Sequence, residues 1–167
     1  MKTETSRDLF FDQLQDLFSV ESQLQISLPT VAGGAEDERL AALISNHVPE
    51  TSKQLDAVAQ ILTHHGYSPG GDNCQAMEGL IVGGDAHLDR VEVATTRDLM
   101  IIAHCLRIEH YEVAAYTITS SLARQLGFEE EARVLRAILD QEQQAVERLL
   151  HLQPILFELA TRVTLEL

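Results

Sequence analysis

The chain has 167 residues, 45% of them hydrophobic and 5% aromatic, and a formal net charge of −14. This length suits one domain with a substantial core, so we predict a single domain over residues 1–167. The excess of acids argues against partners that present phosphates, both nucleic acid and an anionic membrane surface. Residues 1–11 mix charges and lack the apolar stretch of a signal peptide. Because Cys74 and Cys105 form no spacing motif, we predict two free thiols in the cytoplasm.

Long segments without glycine predict an all-α protein. The first helix is predicted over residues 6–28, ended by Pro29 and the glycine pair at 33–34. The second is predicted over residues 36–65, with Gly66 after its C-terminus.

The segment 67–94 holds most of the glycines, and we predict a crossover connection there with one or two helical turns at residues 74–82. Further helices are predicted over residues 95–126, with Thr95 or Thr96 as the N-cap, and over 129–152. Pro154 is expected to interrupt the last of these. The apolar tail 153–167 then predicts a short extra C-terminal helix or a subunit contact.

Each of the four long helices carries at least one carboxylate on its apolar face. These acids are Glu21, Glu50, Glu109, Glu112 and Glu142. A lone buried carboxylate is costly, so a set of them on core faces needs a shared compensation. A pair of metal ions inside a four-helix bundle supplies it, because their charge turns the acids into ligands.

The separation of the acids along the chain predicts the topology. Glu21 and Glu50 are about 30 residues apart, as are Glu109 and Glu142, which suits antiparallel helical hairpins. Glu50 and Glu109 are about twice as far apart, which is too long for a short turn. Two hairpins joined by one long crossover form a ferritin-like four-helix bundle, in which the second and third long helices are parallel.

Carboxylate oxygens with one imidazole suit iron or manganese better than zinc. His47 lies three residues before Glu50 on the same helical face, where it is either a ligand or a hydrogen-bonded core histidine. The usual di-iron pattern has Glu-x-x-His on two helices. Here Lys53 and Ala145 follow Glu50 and Glu142 at that spacing, so the site is carboxylate-rich, asymmetric or weaker for one of its two metals. The predicted ligands of the two iron or manganese ions are Glu21, His47, Glu50, Glu109, Glu112 and Glu142.

A proline stands beside these predicted ligands. Pro49 lies inside the second predicted helix, where its missing N–H and its ring disturb the preceding turn. We therefore predict a kink in this helix at Pro49.

Several segments resemble the YciE/YciF family of ferritin-like bacterial stress proteins over about residues 5–150. The most specific are Cys-x-Ala-Met-Glu-Gly-Leu-Ile, from Cys74 to Ile81, and Glu-His-Tyr-Glu, from Glu109 to Glu112. Asp-Leu-Phe at residues 8–10 and Ser-Val-Glu-Ser-Gln-Leu at 19–24 also match. The resemblance implies a ferritin-like bundle, a dimetal centre and a homodimer, but it does not supply a reaction.

The sequence leaves three functional hypotheses. The first is a dimetal centre that acts on oxygen, peroxide or ferrous iron. The alternative is a non-catalytic structural or interaction protein of the stress response with a vestigial metal site. A ferritin-like nanocage is a third hypothesis, but the sequence does not indicate the interfaces that a cage needs.

Overall fold

The computed structural model describes residues 3–166, and the side chains of residues 3–162. The helices in chain order are α1 (Ser6–Gly33), α2 (Glu38–His64), α3 (Gln75–Leu88), α4 (Ala94–Gln125) and α5 (Glu129–Glu166). Residues 3–166 contain no strand, so the all-α prediction is confirmed.

The four long helices form two hairpins that pack against each other. α1 packs on α2 and α4 on α5, and the hairpins meet through contacts of α1 with α4 and of α2 with α5. Near the start of α4, the Asp98 carboxylate accepts hydrogen bonds from the backbone N–H groups of Glu36 (2.8 Å) and Asp37 (3.0 Å), which immediately precede α2. At the other end, His65 after α2 contacts Glu131 in the first turn of α5. Thus α2 and α4 are parallel, and the ferritin-like bundle with its long crossover is confirmed.

The crossover is more helical than its glycine content predicts, because α3 extends to Leu88 rather than ending near residue 82. The burial of Met77 and Leu88 stabilises this longer helix. Gly84 allows α3 to approach α4 closely, since a Cβ atom there would lie 2.0 Å from Cε1 of the buried His104 ring.

Two predicted helix ends at prolines were wrong. α1 continues through Pro29 to Gly33, and α5 continues through Pro154, so the tail is the end of α5 rather than a separate short helix. Both prolines are exposed, while the residues just beyond them, Val31 in α1 and Leu156 in α5, are buried. Burial of these side chains offsets the lost backbone hydrogen bond. Residue 167 of the predicted tail lies outside the described residues.

Two smaller details of the helices also bear on the predictions. α4 starts at Ala94 after the N-cap residue Val93, so the prediction of Thr95 or Thr96 as N-cap was wrong. α2 contains Pro49 and remains helical on both sides of it. The predicted kink at Pro49 stays a prediction.

The core consists of two apolar clusters separated by a polar layer. One cluster lies toward the starts of α2 and α4, with Leu40 and Ile101 among its members. The other lies toward their ends, with Val58 and Leu122 among its members. On every long helix one or more buried polar residues lie at or next to the junction of these two sets, so the fold places them at one level of the bundle. They are Glu21 on α1, His47, Thr51 and Gln54 on α2, Glu109 and Glu112 on α4, and Glu142 on α5.

Candidate metal site

Four of the predicted ligands converge at the centre of the polar layer. His47, Glu109, Glu112 and Glu142 are all buried, and each offers one ligand atom such that these atoms all lie within 4.8 Å of one another. They come from three helices, α2, α4 and α5. Glu109 and Glu112 are three residues apart on α4, which puts both carboxylates on the same side of that helix.

The hydrogen bonding of His47 orients its ring toward the acids. Its Nδ1 lies 3.0 Å from Oε2 of Glu50, while its Nε2 lies 3.6 Å from carboxylate oxygens of both Glu109 and Glu142. A carboxylate only accepts, so Nδ1 donates to Glu50, and Nε2 is the ring nitrogen that faces the cluster. A metal-binding histidine has this arrangement, with its outer nitrogen held by a carboxylate.

Glu50 stands at the mouth of the site rather than among the four converging residues. Its side chain is 34% exposed, and its Oε2 also accepts a hydrogen bond from Arg148 at 3.2 Å. A small cleft of about 110 Å³ opens here, lined by Asn46, His47, Glu50 and Arg148 together with Leu43. Glu50 therefore links the buried cluster to solvent.

Glu21 faces the cluster from α1 and is fully buried. The hydroxyl of Tyr116 donates a short hydrogen bond to its Oε1. Glu21 lies outside the group of four, but its negative charge contributes to the raised pKa values of Glu109 and Glu112. Its remaining oxygen, Oε2, is buried without a hydrogen-bond partner among the described residues.

Besides Tyr116, two polar residues outside the predicted ligand set hold predicted ligands. Gln54 donates a short hydrogen bond to Oε1 of Glu142 and a second one, at 3.1 Å, to Gln141. Arg148 holds Glu50, as described above. Gln54 could have been found from its position one turn after Glu50 on the same face of α2, whereas Arg148 is exposed and its position carries no such signal.

The buried acids have too few partners within the described part of the chain. Oε2 of Glu109, both oxygens of Glu112 and Oε2 of Glu142 lack hydrogen bonds, as does Nε2 of His47. Burial is the main cause that raises the pKa of all four carboxyls, well above the usual range for Glu21, Glu109 and Glu112, and their mutual repulsion raises those three further. A buried polar atom without a partner is expensive. Protonation removes the negative charge of a carboxylate but leaves some of its lone pairs without a partner. A bound cation neutralises the charge and also accepts the lone pairs, so these residues fit a metal ion.

None of the helices described here combines the length and apolar character needed to cross a membrane.

Comparison with known proteins gives consistent results. The model of the family described as "Domain of unknown function (DUF892)" matches residues 5–161. The chain is 32% identical to Protein YciF of Escherichia coli K12 over 143 residues, which covers 85% of this chain and 86% of YciF. YciF is described as a stress protein, and its crystal structure matches with a TM-score of 0.89 at 30% identity, covering 93% of this chain and 99% of that structure.

Two further solved structures share the fold. YcfI from Rhodopseudomonas palustris, for which a structural role has been suggested, matches with a TM-score of 0.85 at 32% identity, over 87% of this chain and 93% of that one. A protein from Xanthomonas campestris matches with a TM-score of 0.77 at 22% identity over 98% of this chain and all of its own, which supports the fold alone. With the family model matched over nearly the whole chain, this protein belongs to the DUF892 family, the family of the stress protein YciF.

Proposed function

We propose that the polar layer binds two iron or manganese ions per chain in a carboxylate-rich dinuclear centre. The observation that carries the proposal is the environment of Glu112. Both of its carboxylate oxygens are buried and have no hydrogen-bond partner in the described structure, and three further buried glutamates surround it. A cation is the natural compensation for such a group.

The charge of the layer favours two divalent ions over one. Glu21, Glu109, Glu112 and Glu142 carry four negative charges when ionised, and two divalent ions neutralise them. His47 supplies the neutral nitrogen ligand through Nε2. Glu50 was predicted as a ligand. In this proposal it orients His47, and an ion arriving from solvent meets it first.

Ligand chemistry supports iron or manganese, because hard oxygen donors with a single imidazole suit these metals. When bound, they would supply redox chemistry toward oxygen, peroxide or ferrous iron. The protein holds the acids in place through Tyr116 and Gln54. The apolar clusters on both sides keep bulk water from the layer, which strengthens every electrostatic interaction within it.

The cellular setting of the proposal follows from the relatives and the surface. Like YciF, the protein would act in the bacterial stress response, in the cytoplasm, where its two buried cysteines stay as thiols. Leu150, Ile155 and Phe157 on α5 are exposed, and we propose that they contribute to a homodimer interface. The net charge of −14 is consistent with a protein whose partners are neither nucleic acids nor membranes.

A non-catalytic structural role in the stress response is the second candidate. It is favoured by Ala145, which stands where a second histidine ligand would be expected on α5, and by the structural role suggested for YcfI. Under this alternative the acids are a vestige of a metal site, and the protein works through its surface.

Substitution of Glu109 separates the two candidates. Glu109→Ala should abolish loading with ferrous or manganous ions, measured as bound metal per chain after removal of excess. Glu147→Ala, an exposed substitution on α5, is the control and should load like the parent protein. Loading that survives Glu109→Ala would refute the site, whereas loading without consumption of oxygen or peroxide would favour the non-catalytic role.

A further inference from the structure

A second group of potential metal ligands lies at the end of the bundle where α2 ends and α5 begins. His64 and His65 at the C-terminus of α2 and Glu131 in the first turn of α5 each offer a ligand atom, all within 4.8 Å of one another. His64 is 17 residues after His47 on the same helix, a rise of about 26 Å. The two groups are therefore separate sites.

The surrounding aromatic residues hold His65 in a defined orientation. The centroid of its ring lies 5.2 Å from that of Phe11 and 4.7 Å from that of Phe128. This packing directs Nε2 toward Glu131, whose Oε1 is 2.8 Å away. One nitrogen and one oxygen donor are thus already paired in a rigid environment.

His64 adds a second imidazole that an ion in solvent can reach. Its ring is nearly perpendicular to that of His65, with 5.2 Å between centroids, and the residue is exposed. It lines a surface cleft of about 360 Å³ together with Glu130 and Glu131. An ion in this cleft therefore has an open approach to His64 and Glu131, and Glu131 in turn contacts His65.

The C-terminus of α2 and the acids at the start of α5 favour a cation here, and those acids outweigh the partial positive charge of the α5 N-terminus. His65 is the C-cap of α2, where the last backbone carbonyl groups give a partial negative charge. The first turn of α5 adds three acids in a row, Glu129, Glu130 and Glu131. Arg133 forms an ion pair with Glu130 at 2.5 Å, so it faces that acid rather than Glu131.

We propose that His64, His65 and Glu131 bind a zinc ion, with water as the fourth ligand. Two imidazoles and one carboxylate are a ligand set that zinc uses in proteins with an open coordination position. Zinc bonds of about 2.0–2.1 Å in tetrahedral geometry put neighbouring donor atoms about 3.3 Å apart. The pair at 2.8 Å must therefore open slightly, and the exposed His64 side chain turns inward to complete the site.

Zinc binding to variants of the full-length protein tests this proposal. Bound zinc per chain and its affinity are measured by equilibrium dialysis and calorimetric titration of chelator-treated protein. The double variant His64→Ala, Glu131→Gln should bind one zinc fewer per chain than the parent, or bind this ion at least about tenfold more weakly. His110→Ala, which removes an exposed histidine of α4, is the control and should leave zinc binding unchanged.

A second comparison distinguishes this zinc from metal in the polar layer. Glu109→Ala should retain the zinc that the double variant loses, since the two groups share no residue. Imidazole NMR signals of His64 and His65, but not of His110, should shift on addition of one equivalent of zinc to the Glu109→Ala protein. Unchanged zinc binding in the double variant, or an equal loss in His110→Ala, would overturn the proposal.

Discussion

Replacing Glu112 by leucine should have opposite effects on the metal-free and the metal-loaded protein. In the metal-free protein both oxygens of Glu112 are buried without a hydrogen-bond partner in the described structure. Such a group costs about 1–3 kcal/mol, and leucine is an apolar side chain of similar size that removes the cost. Glu112→Leu should thus raise the free energy of unfolding by about 1–3 kcal/mol, or Tm by about 2–4 °C per kcal/mol for a chain of this length.

Metal should reverse this order of stability. A ligand at about 1,000 times its Kd stabilises the folded protein by about 4.1 kcal/mol, which exceeds the gain from leucine, and the variant loses this stabilisation at the site that it damages. Thermal unfolding followed by circular dichroism, in chelator and in excess manganese, measures both effects. Glu147→Leu is the exposed control and should unfold like the parent in both conditions. A Glu112→Leu protein that is less stable than the parent in chelator would refute the reasoning, because Glu112 would then stabilise the metal-free fold.

Three other predictions concern the residues around the cluster. Tyr116→Phe removes the hydroxyl that donates to Glu21, so the free energy of unfolding of the metal-free protein should fall by about 1–3 kcal/mol in denaturant titrations. Glu50→Gln removes the carboxylate that orients His47, so manganese affinity should fall about 10–100-fold in calorimetry while the circular dichroism spectrum stays unchanged. The buried carboxyls have pKa values above the usual 4.5, so the folded metal-free protein holds protons that the unfolded chain has released. Their contribution to the stability of the metal-free protein is fully present below about pH 4.5 and is lost as the pH rises through the folded pKa values. Because manganese must replace these protons, the gain in Tm on adding manganese should increase from about pH 5 to about pH 8. A gain that does not change with pH would contradict this last expectation.

The sequence was most informative where helical periodicity and charge conflict. An acid on an apolar face is visible without a structure, and this conflict located Glu21, Glu109, Glu112 and Glu142 in the core, where all four are buried. The separations between the same acids also gave the order of the helices. These two signals depend on spacing along a single helix or between helices, which the sequence contains directly.

The sequence was less informative where tertiary packing overrides a local preference. Pro29 and Pro154 disfavour helix locally, but buried residues beyond them keep α1 and α5 intact. The glycines of α3 favour a loop locally, but Gly84 is needed for the close packing of α3 against the ring of His104. The contact of Glu50 with Arg148 likewise joins residues of different helices, so spacing along the chain gave no hint of it.

The most direct test of the dinuclear site is metal content per chain, by elemental analysis of untagged protein purified without chelator. The measurement is made before and after anaerobic loading with ferrous ions. Close to two iron or manganese ions per chain, lost on Glu109→Ala, is the result that we predict. A folded protein that contains no metal and takes up none would contradict the account and would leave the buried acids as a vestige.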